Sequence, residues 1–422
     1  MSSLDPTSIS KPVETIHPDN FPEEAKHPEV AASALKTLVE HSATHPDVTA
    51  TIHAPMHRLL SSPYVTKLIP GIEQLASQYH VGNFVAIRGT GDQFFESMPI
   101  YPRLGMHLLF YGGTQVKVLH NQTVESVLKD LSIHQGKIYD SPESVKNIPS
   151  FIETYKIQVD ELLEPDITKY KTFNDFFYRR LKPGARPVQN EDDPKNLCSA
   201  ADCRLTVYPT VDLAKKFWIK GNLFNVPDLL NVKPDSEIAK TFENASLAAF
   251  RLAPADYHRF HCPIDGAIGE TVDIPGQYYT GESVLSKQQL NFRLIRFPVN
   301  PQAVNEPGFD VFTANKRSVL YMTHTSGRPV AFVAIGAMLV GSIVWTAGAQ
   351  KGATIKRGEE LGYFAYGGST VVVLFPQGMM EYVLVLLPRI MSALMPSVTR
   401  FDADLLANSE KPIETLMKVC SA

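Results

Sequence analysis

Cysteine is scarce in this chain. There are four in 422 residues, at Cys198, Cys203, Cys262 and Cys420, and no two stand in a Cys-x-x-Cys pair. That usage excludes a disulfide framework and a cysteine zinc site, and fits reduced thiols in a cytosol-like compartment. Cys262 follows His261, but one His–Cys pair offers a metal too few ligands, so the pair reads as wall packing and no metal is expected. Positive charge is not in excess: the net charge is −4, which argues against nucleic acid as a partner. Long apolar runs are missing too. The longest candidate, residues 330–345, is β-branched and broken by glycine, and falls short of the roughly 20 residues of a spanning helix. The first 25 residues hold Asp5, Glu14, Asp19, Glu23 and Glu24 and no arginine, which speaks against a mitochondrial presequence.

What is present divides the chain by texture. Residues 1–50 are rich in Pro, Ser, Thr and His and read as a largely disordered tail. Residues 51–165 read as a helical N-terminal module, with helices expected at 65–79 (broken at Pro70), 104–111, 124–137 and 142–155. Spacings such as Leu68, Ile72 and Leu75 supply an amphipathic face. From Leu197 short apolar runs alternate with turns. Strands are expected at 205–208, 217–219, 247–252, 267–272, 318–322, 330–335, 342–346 and 371–374, with a strand–turn–strand over 351–362. The hairpin around Lys356-Arg357-Gly358 lacks the exposed lysine context of a swinging-arm carrier. The fold class expected is α+β: a helical N-terminal module followed by a mainly antiparallel β-sandwich or barrel-like catalytic domain over 166–422.

The chemistry is concentrated at Tyr366-Gly367-Gly368-Ser369-Thr370, which runs into a valine-rich strand. Ser369 follows a residue without a side chain, a geometry that suits attack of its hydroxyl on the carbonyl of Gly368. Such an acyl shift breaks the backbone and leaves a pyruvoyl group at position 369, an electron sink built from the chain itself. Alone, the motif is more often a plain turn. Upstream, Asp256-Tyr257-His258-Arg259-Phe260-His261 places two histidines three residues apart, and Ala200-Ala201-Asp202 places an acid after small residues. An acid, a histidine and a serine thus follow one another in the order Asp202, the histidine pair, Ser369, the composition of an orienter, a base and a nucleophile.

Taken together these pieces resemble the phosphatidylserine decarboxylase family. The likeness rests on the run from Phe173 to Pro187, on Ala201-Asp202, on Ile219-Lys220-Gly221 with Leu229-Leu230, and on the Tyr257 to His261 block. It continues through Asn315-Lys316-Arg317-Ser318-Val319, Val340-Gly341-Ser342-Ile343 and Gly367 to Thr370. The resemblance implies cleavage between Gly368 and Ser369 into a β chain, 1–368, and an α chain, 369–422, that stay associated without a covalent bond. It implies a pyruvoyl group derived from Ser369 as the cofactor. His261, oriented by Asp202, would activate Ser369, and His258 would protonate the α-carbon after decarboxylation; which histidine serves which step stays open. Asn315 and Arg317 would help hold the substrate. The implied partner is phosphatidylserine, met at a membrane surface by a cytoplasmic, peripheral protein, and a homo-oligomer is compatible with it.

Two other readings stand beside this one: a pyruvoyl-dependent decarboxylase of a free amino acid, and an unprocessed, non-enzymatic lipid-binding protein. Arg179, Arg180, Lys182 and Arg186 could lean on anionic lipid, though structural ion pairs are the commoner use of such residues. Two positions depart from the family: Cys203 stands where glycine is commoner, and Phe224-Asn225 where Tyr-Ser is usual. The stretch 281–298, between Tyr278-Tyr279-Thr280 and Val299-Asn300-Pro301, is extra relative to family members. Its codons can spell a splice donor, a branch point and an acceptor, and its in-frame removal rejoins the family pattern. We therefore expect transcripts that lack it; transcript sequencing that returns only the long form would instead make it a genuine surface loop.

Overall fold

The computed structural model describes residues 82–97 (apart from 89 and 91), 136–217 (apart from 194), 224–275, 311–336, 342–365, 369–381 and 399–419 (apart from 412). Apart from the end residues Gly82 and Ser97 they belong to one compact unit, formed by residues 83–96, 136–289 and 296–422.

Fifteen strands are described. They are β1 (Gly82–Ile87), β2 (Gln93–Ser97), β3 (Cys203–Tyr208), β4 (Ser246–Leu252), β5 (Arg259–His261), β6 (Gly266–Ile274), β7 (Arg317–His324) and β8 (Pro329–Gly336). After them come β9 (Ile343–Trp345), β10 (Thr354–Ile355), β11 (Glu360–Phe364), β12 (Ser369–Phe375), β13 (Met380–Glu381), β14 (Thr399–Arg400) and β15 (Glu414–Met417). Ten form one sheet in the order β10-β6-β7-β8-β12-β4-β3-β15-β1-β2, and β5-β11-β9 form a second. β1 pairs with β15 in parallel, whereas the pairs from β10 across to β15 are antiparallel.

The strand at the centre explains itself chemically. β12 reads Ser-Thr-Val-Val-Val-Leu-Phe, and its β-branched run favours the extended backbone. Residues 371–375 are all buried, alternately on the two faces of the sheet. Each such side chain contributes about 1.5–3 kcal/mol. On one face Val371, Val373 and Phe375 join Leu252, Phe332, Phe260 and Phe364 in the main core. There the small sheet covers the large one, with Phe260 against Phe332 and Trp345. The opposite face presents Leu247, Val319, Val333, Ile335 and Val372, also buried.

Short helices complete the unit. In chain order they are α1 (Ile148–Tyr155), α2 (Phe173–Phe177), α3 (Val211–Phe217), α4 (Val226–Leu230), α5 (Glu237–Thr241), α6 (Val311–Ala314) and α7 (Ala403–Glu410). α1 and α2 build a separate aromatic cluster from Phe151, Phe173, Phe176, Phe177 and Tyr139. The Thr172 side chain caps α2 by accepting from the Asp175 amide.

The structure corrects three expectations. Among the described residues the large sheet is open, with β10 and β2 at its edges, so the stretch expected to be barrel-like is mixed α/β and not a closed barrel. The stretch expected to be helical contains β1 and β2, whose Phe84-Val85-Ala86-Ile87 and Phe94-Phe95 runs extend the sheet beyond β15. Only the helix expected at 142–155 is described, as a 3₁₀ turn leading into α1. The helices expected at 65–79 and 104–111, most of that at 124–137, and the stretch 281–298 lie outside the described residues. Phe217, expected to open a strand, ends α3.

One ion pair spans the middle of the sheet. Arg251 on β4 donates from Nε and a terminal nitrogen to both oxygens of Glu414 on β15, at 2.8 and 2.5 Å. The Glu414 side chain is 2% exposed. Removing one partner of such a pair leaves a buried charge uncompensated. Glu414→Gln should therefore lower stability by about 3–5 kcal/mol, read as a fall in the denaturant midpoint.

Candidate active site

The ends of six strands meet at one end of the large sheet. Position 369 opens β12 there, with Leu252 of β4 as its Cα partner on one side and Gly336 of β8 on the other. Gly336 donates its amide to Lys316, just before β7. Cys203, which opens β3, is paired with Met417 at the end of β15. Residues 366–368, including Gly368, lie outside the described residues.

The chain leaving β4 makes a tight turn before β5. Asp256 accepts from the Ala253 amide at 2.7 Å and from Arg204 at 2.8 Å. The turn delivers His258 in the left-handed region, φ 52°. A non-glycine residue there costs about 1–3 kcal/mol, and three fixed contacts and full burial offset it. The His258 carbonyl accepts from Phe364, the last residue of β11. Its Nε2 donates to the carbonyl of Ala253 at 3.0 Å. Its ring stacks on Phe177 at 3.9 Å, and the side chain is fully buried. His258 is thus tied to the end of β11, before the Gly-Gly-Ser segment, and to the end of β4, beside position 369.

His261 ends β5. Its amide donates to Ala200 at 2.7 Å, which brings the Ala201-Asp202 segment alongside. Its Nδ1 donates to the carbonyl of Gly358 at 2.8 Å, and Gly358 adopts φ 86°, a conformation glycine allows at no steric cost. With Nδ1 carrying the proton, Nε2 keeps its lone pair, and the Tyr257 hydroxyl donates to it. The β5–β11 pairing bulges between Glu360 and Gly362. A side chain at Gly362 would meet the Phe260 ring at 2.6 Å and the Val344 carbonyl at 2.3 Å, so glycine is required for β11 to lie between β5 and β9.

Asp202 lies in the same neighbourhood, but its hydrogen bonds run elsewhere. Both oxygens accept from Arg186, at 2.7–3.2 Å, and one also accepts from the Val419 amide at 2.7 Å. Arg186 bridges onward to Glu161 at 2.8 Å. The carbonyl of Gly358, and not the carboxylate of Asp202, fixes the His261 tautomer.

Asn315 and Arg317 stand where β7 begins, both buried. Arg317 donates to the carbonyls of Leu229, Asp228, Thr313 and Asn315 at 2.6–3.2 Å. It thereby ties α4 and α6 to the sheet end. Of the basic residues in the Phe173 to Pro187 run, Arg179 and Arg186 are internal. Arg179 donates to Ala255 at 2.6 Å, while Lys182 reaches the Asp160 carbonyl at the surface. Sequence reasoning singled out neither Tyr257 nor Val419. Tyr257 lay within the quoted histidine block, four residues before His261; Val419 carried no local signal, because its contribution is a backbone amide.

Burial sets the electrostatics. It pulls His258 down to about 3, with the Arg179 guanidinium acting in the same direction. Burial also lowers His261, against the opposing pull of the Gly358 carbonyl, Glu360 and Asp202. The Cys203 thiol is pushed well above its usual range by burial, so the residue that departs from the family pattern is an inert, apolar neighbour of Asp202.

Fold and site together define a class: a mixed α/β protein on a large, mostly antiparallel sheet, with an acid, two histidines and a serine position gathered at one sheet end. The family pattern described as phosphatidylserine decarboxylase matches residues 173–386. The chain is 34% identical over 310 residues to the phosphatidylserine decarboxylase proenzyme of Fusobacterium nucleatum, covering 74% of this chain and 87% of that one. It is 40% identical over 333 residues to phosphatidylserine decarboxylase proenzyme 2 of Komagataella phaffii (79% and 28%). It is 42% identical over 298 residues to phosphatidylserine decarboxylase proenzyme 2 of rice, Oryza sativa (70% and 41%). The chain belongs to the phosphatidylserine decarboxylase family, and it spans under a third of the length of the Komagataella relative. Among the described residues no helix is long and apolar enough to cross a membrane.

A depressed histidine has a definite signature. The folded state keeps His258 neutral down to about pH 3, while an unfolded chain binds that proton near pH 6.5. Its contribution is present in full above about 6.5 and is lost as pH falls from there towards 3. The His258 ring should remain neutral at pH 5 in a nitrogen-15 spectrum, and His258→Gln should flatten the loss of stability between pH 6.5 and 4.

Proposed function

We propose that this chain cleaves itself between Gly368 and Ser369 and that the product decarboxylates phosphatidylserine to phosphatidylethanolamine. The observation that carries the reading is the placement of position 369. It heads a buried central strand, and His258 is bonded to Phe364, just before the scissile loop, and to Ala253, next to the Cα partner of position 369.

In the cleavage, the Ser369 hydroxyl adds to the Gly368 carbonyl, the amide nitrogen leaves, and an ester replaces the peptide bond. His261 is the proposed base, because its Nε2 lone pair is available once the Tyr257 proton shifts aside. Loss of the Ser369 α-proton then expels the Gly368 carboxylate, and water releases ammonia from the new end. Asp202 supports this step from the adjacent Ala200 to Asp202 segment.

The residues fit a pyruvoyl group at position 369. The strand behind it is paired on both sides, and Thr370, fully buried, carries a hydroxyl with no hydrogen-bond partner among the described residues. Such a group supplies an electron sink for the bonding pair that carboxylate loss leaves behind. His258, kept neutral by burial, holds its single N–H on the Ala253 carbonyl and leaves Nδ1 as a proton acceptor; it is the proposed relay for the proton that the α-carbon takes up after decarboxylation. Asn315 and Arg317 enter as walls of the substrate site, with Arg317 acting through the segment that it holds. β12 and β15 keep the α chain within the sheet without a covalent link. The protein would meet its lipid as a peripheral protein on the cytoplasmic side of an intracellular membrane.

The purified chain should run as two fragments on a denaturing gel. The smaller should have the mass of residues 369–422 less one ammonia, and Ser369→Ala should abolish it. Vesicles containing phosphatidylserine should then yield carbon dioxide and phosphatidylethanolamine. Turnover of free amino acids alone would move the reading to the free amino-acid decarboxylase, and a chain that stays whole would move it to the non-enzymatic lipid-binding protein.

A further inference from the structure

Val419 follows β15 and lies where the two polar systems of the site meet. Its amide donates to Asp202. Its side chain, 2% exposed, shares an apolar cluster with Cys198 and Tyr257, and Tyr257 is the hydroxyl partner of His261. The preceding residue, Lys418, reaches Glu161 at 3.3 Å, and Glu161 and Asp202 share the Arg186 guanidinium. Residues 418 and 419 therefore close a ring: Lys418, Glu161, Arg186, Asp202, and back to the Val419 amide.

We propose that the seating of Lys418 and Val419 on this ring is what positions the processing site, with Val419 and Arg186 as positioning residues, so that the chain cleaves only after β15 has entered the sheet. The inference rests on the self-cleavage reading above.

The physical reason is the hydrogen bonding of a buried carboxylate. Asp202 is only 9% exposed, and a carboxylate so enclosed must find donors. Arg186 and the Val419 amide supply them and fix its orientation. Without them the carboxylate has to turn from its present place to find other donors. Register does the rest. Met417 is paired with Cys203, the residue after Asp202, so once β15 is in place Val419 can reach the carboxylate; an undocked β15 cannot bring it there. The order matters because cleavage frees the chain at 369. If β15 were still outside the sheet, the released segment would be held by β12 without the Arg251–Glu414 pair.

The test uses the full chain and reads the rate at which the 369–422 fragment appears by intact mass. Val419→Pro removes the amide hydrogen; Val419→Ala keeps it and trims the packing. Val419→Pro should slow cleavage about tenfold or more, the worth of one hydrogen bond to a charged group. Val419→Ala should stay within about threefold of the unaltered chain, since it retains that bond. Arg186→Gln should slow cleavage similarly, and added guanidinium should restore part of the rate, which a merely structural loss would not allow. Cleavage of folded Val419→Pro at the unaltered rate, with matching circular dichroism and thermal unfolding, would overturn the proposal. Should Val419→Pro fail to fold, Arg186→Gln decides: an unaltered rate, or slowing without guanidinium rescue, overturns it. An unaltered chain that never cleaves is a different result, because it removes the self-cleavage reading itself.

Discussion

The pairing of β12 on both of its edges is the constraint on which the rest depends. A strand between two antiparallel neighbours has its backbone groups satisfied along its length, and residues 371–375 add apolar burial on both faces. A chain break at its head costs that strand none of these bonds. Cleavage at the edge of the sheet would expose a strand with little to hold it. At the centre, a new chain end would be clamped where it formed, and whatever chemistry sits at position 369 would inherit a rigid base.

The same sheet end concentrates charge that the interior has to neutralise. Arg204 with Asp256, Arg251 with Glu414, Arg186 with Asp202 and Glu161, and Arg259 with Glu360 all pair within 2.9 Å. Arg317 and Arg179 are satisfied largely by carbonyls. Arginine suits this work because its planar fork serves several acceptors at once. The pairs link strands and turns far apart in sequence, so the site is held less by any one helix or loop than by a net of guanidinium groups. His258 stands inside that net as a strained, neutral imidazole.

Much of this was legible in the sequence, for identifiable reasons. Valine-rich and alternating runs predicted β4, β6, β7, β8 and β12, because β-branched residues on a pleated, buried surface leave a local signature. The Gly-Gly-Ser-Thr turn and the histidine block stood out in the sequence because both are short contiguous motifs. The open edge of the sheet was not legible: barrel and open sheet share the same alternation, and only the strand order separates them. β1 was missed because a few apolar residues flanked by turns do not distinguish strand from helix, and its partner, β15, lies more than 300 positions away. The surroundings of Arg317 were not legible, because residue type cannot reveal that four carbonyls accept from it.

The division of labour between Asp202 and Gly358 follows from the same logic. A sequence read as acid, base and nucleophile invites the assumption that the acid orients the base. Here a main-chain carbonyl in a glycine turn performs that task, and a neutral acceptor holds the tautomer of His261 without adding charge to a buried ring. The carboxylate is instead bound to Arg186 and to the amide of Val419, a residue that no motif would have named. A charged group is well suited to that second duty, since its hydrogen bonds are stronger and its misplacement costs more. On the proposed self-cleavage the acid would act as a reporter of whether β15 is seated, and the carbonyl as a fixed support of the base, so that orientation and assembly would be controlled by different atoms of one sheet end.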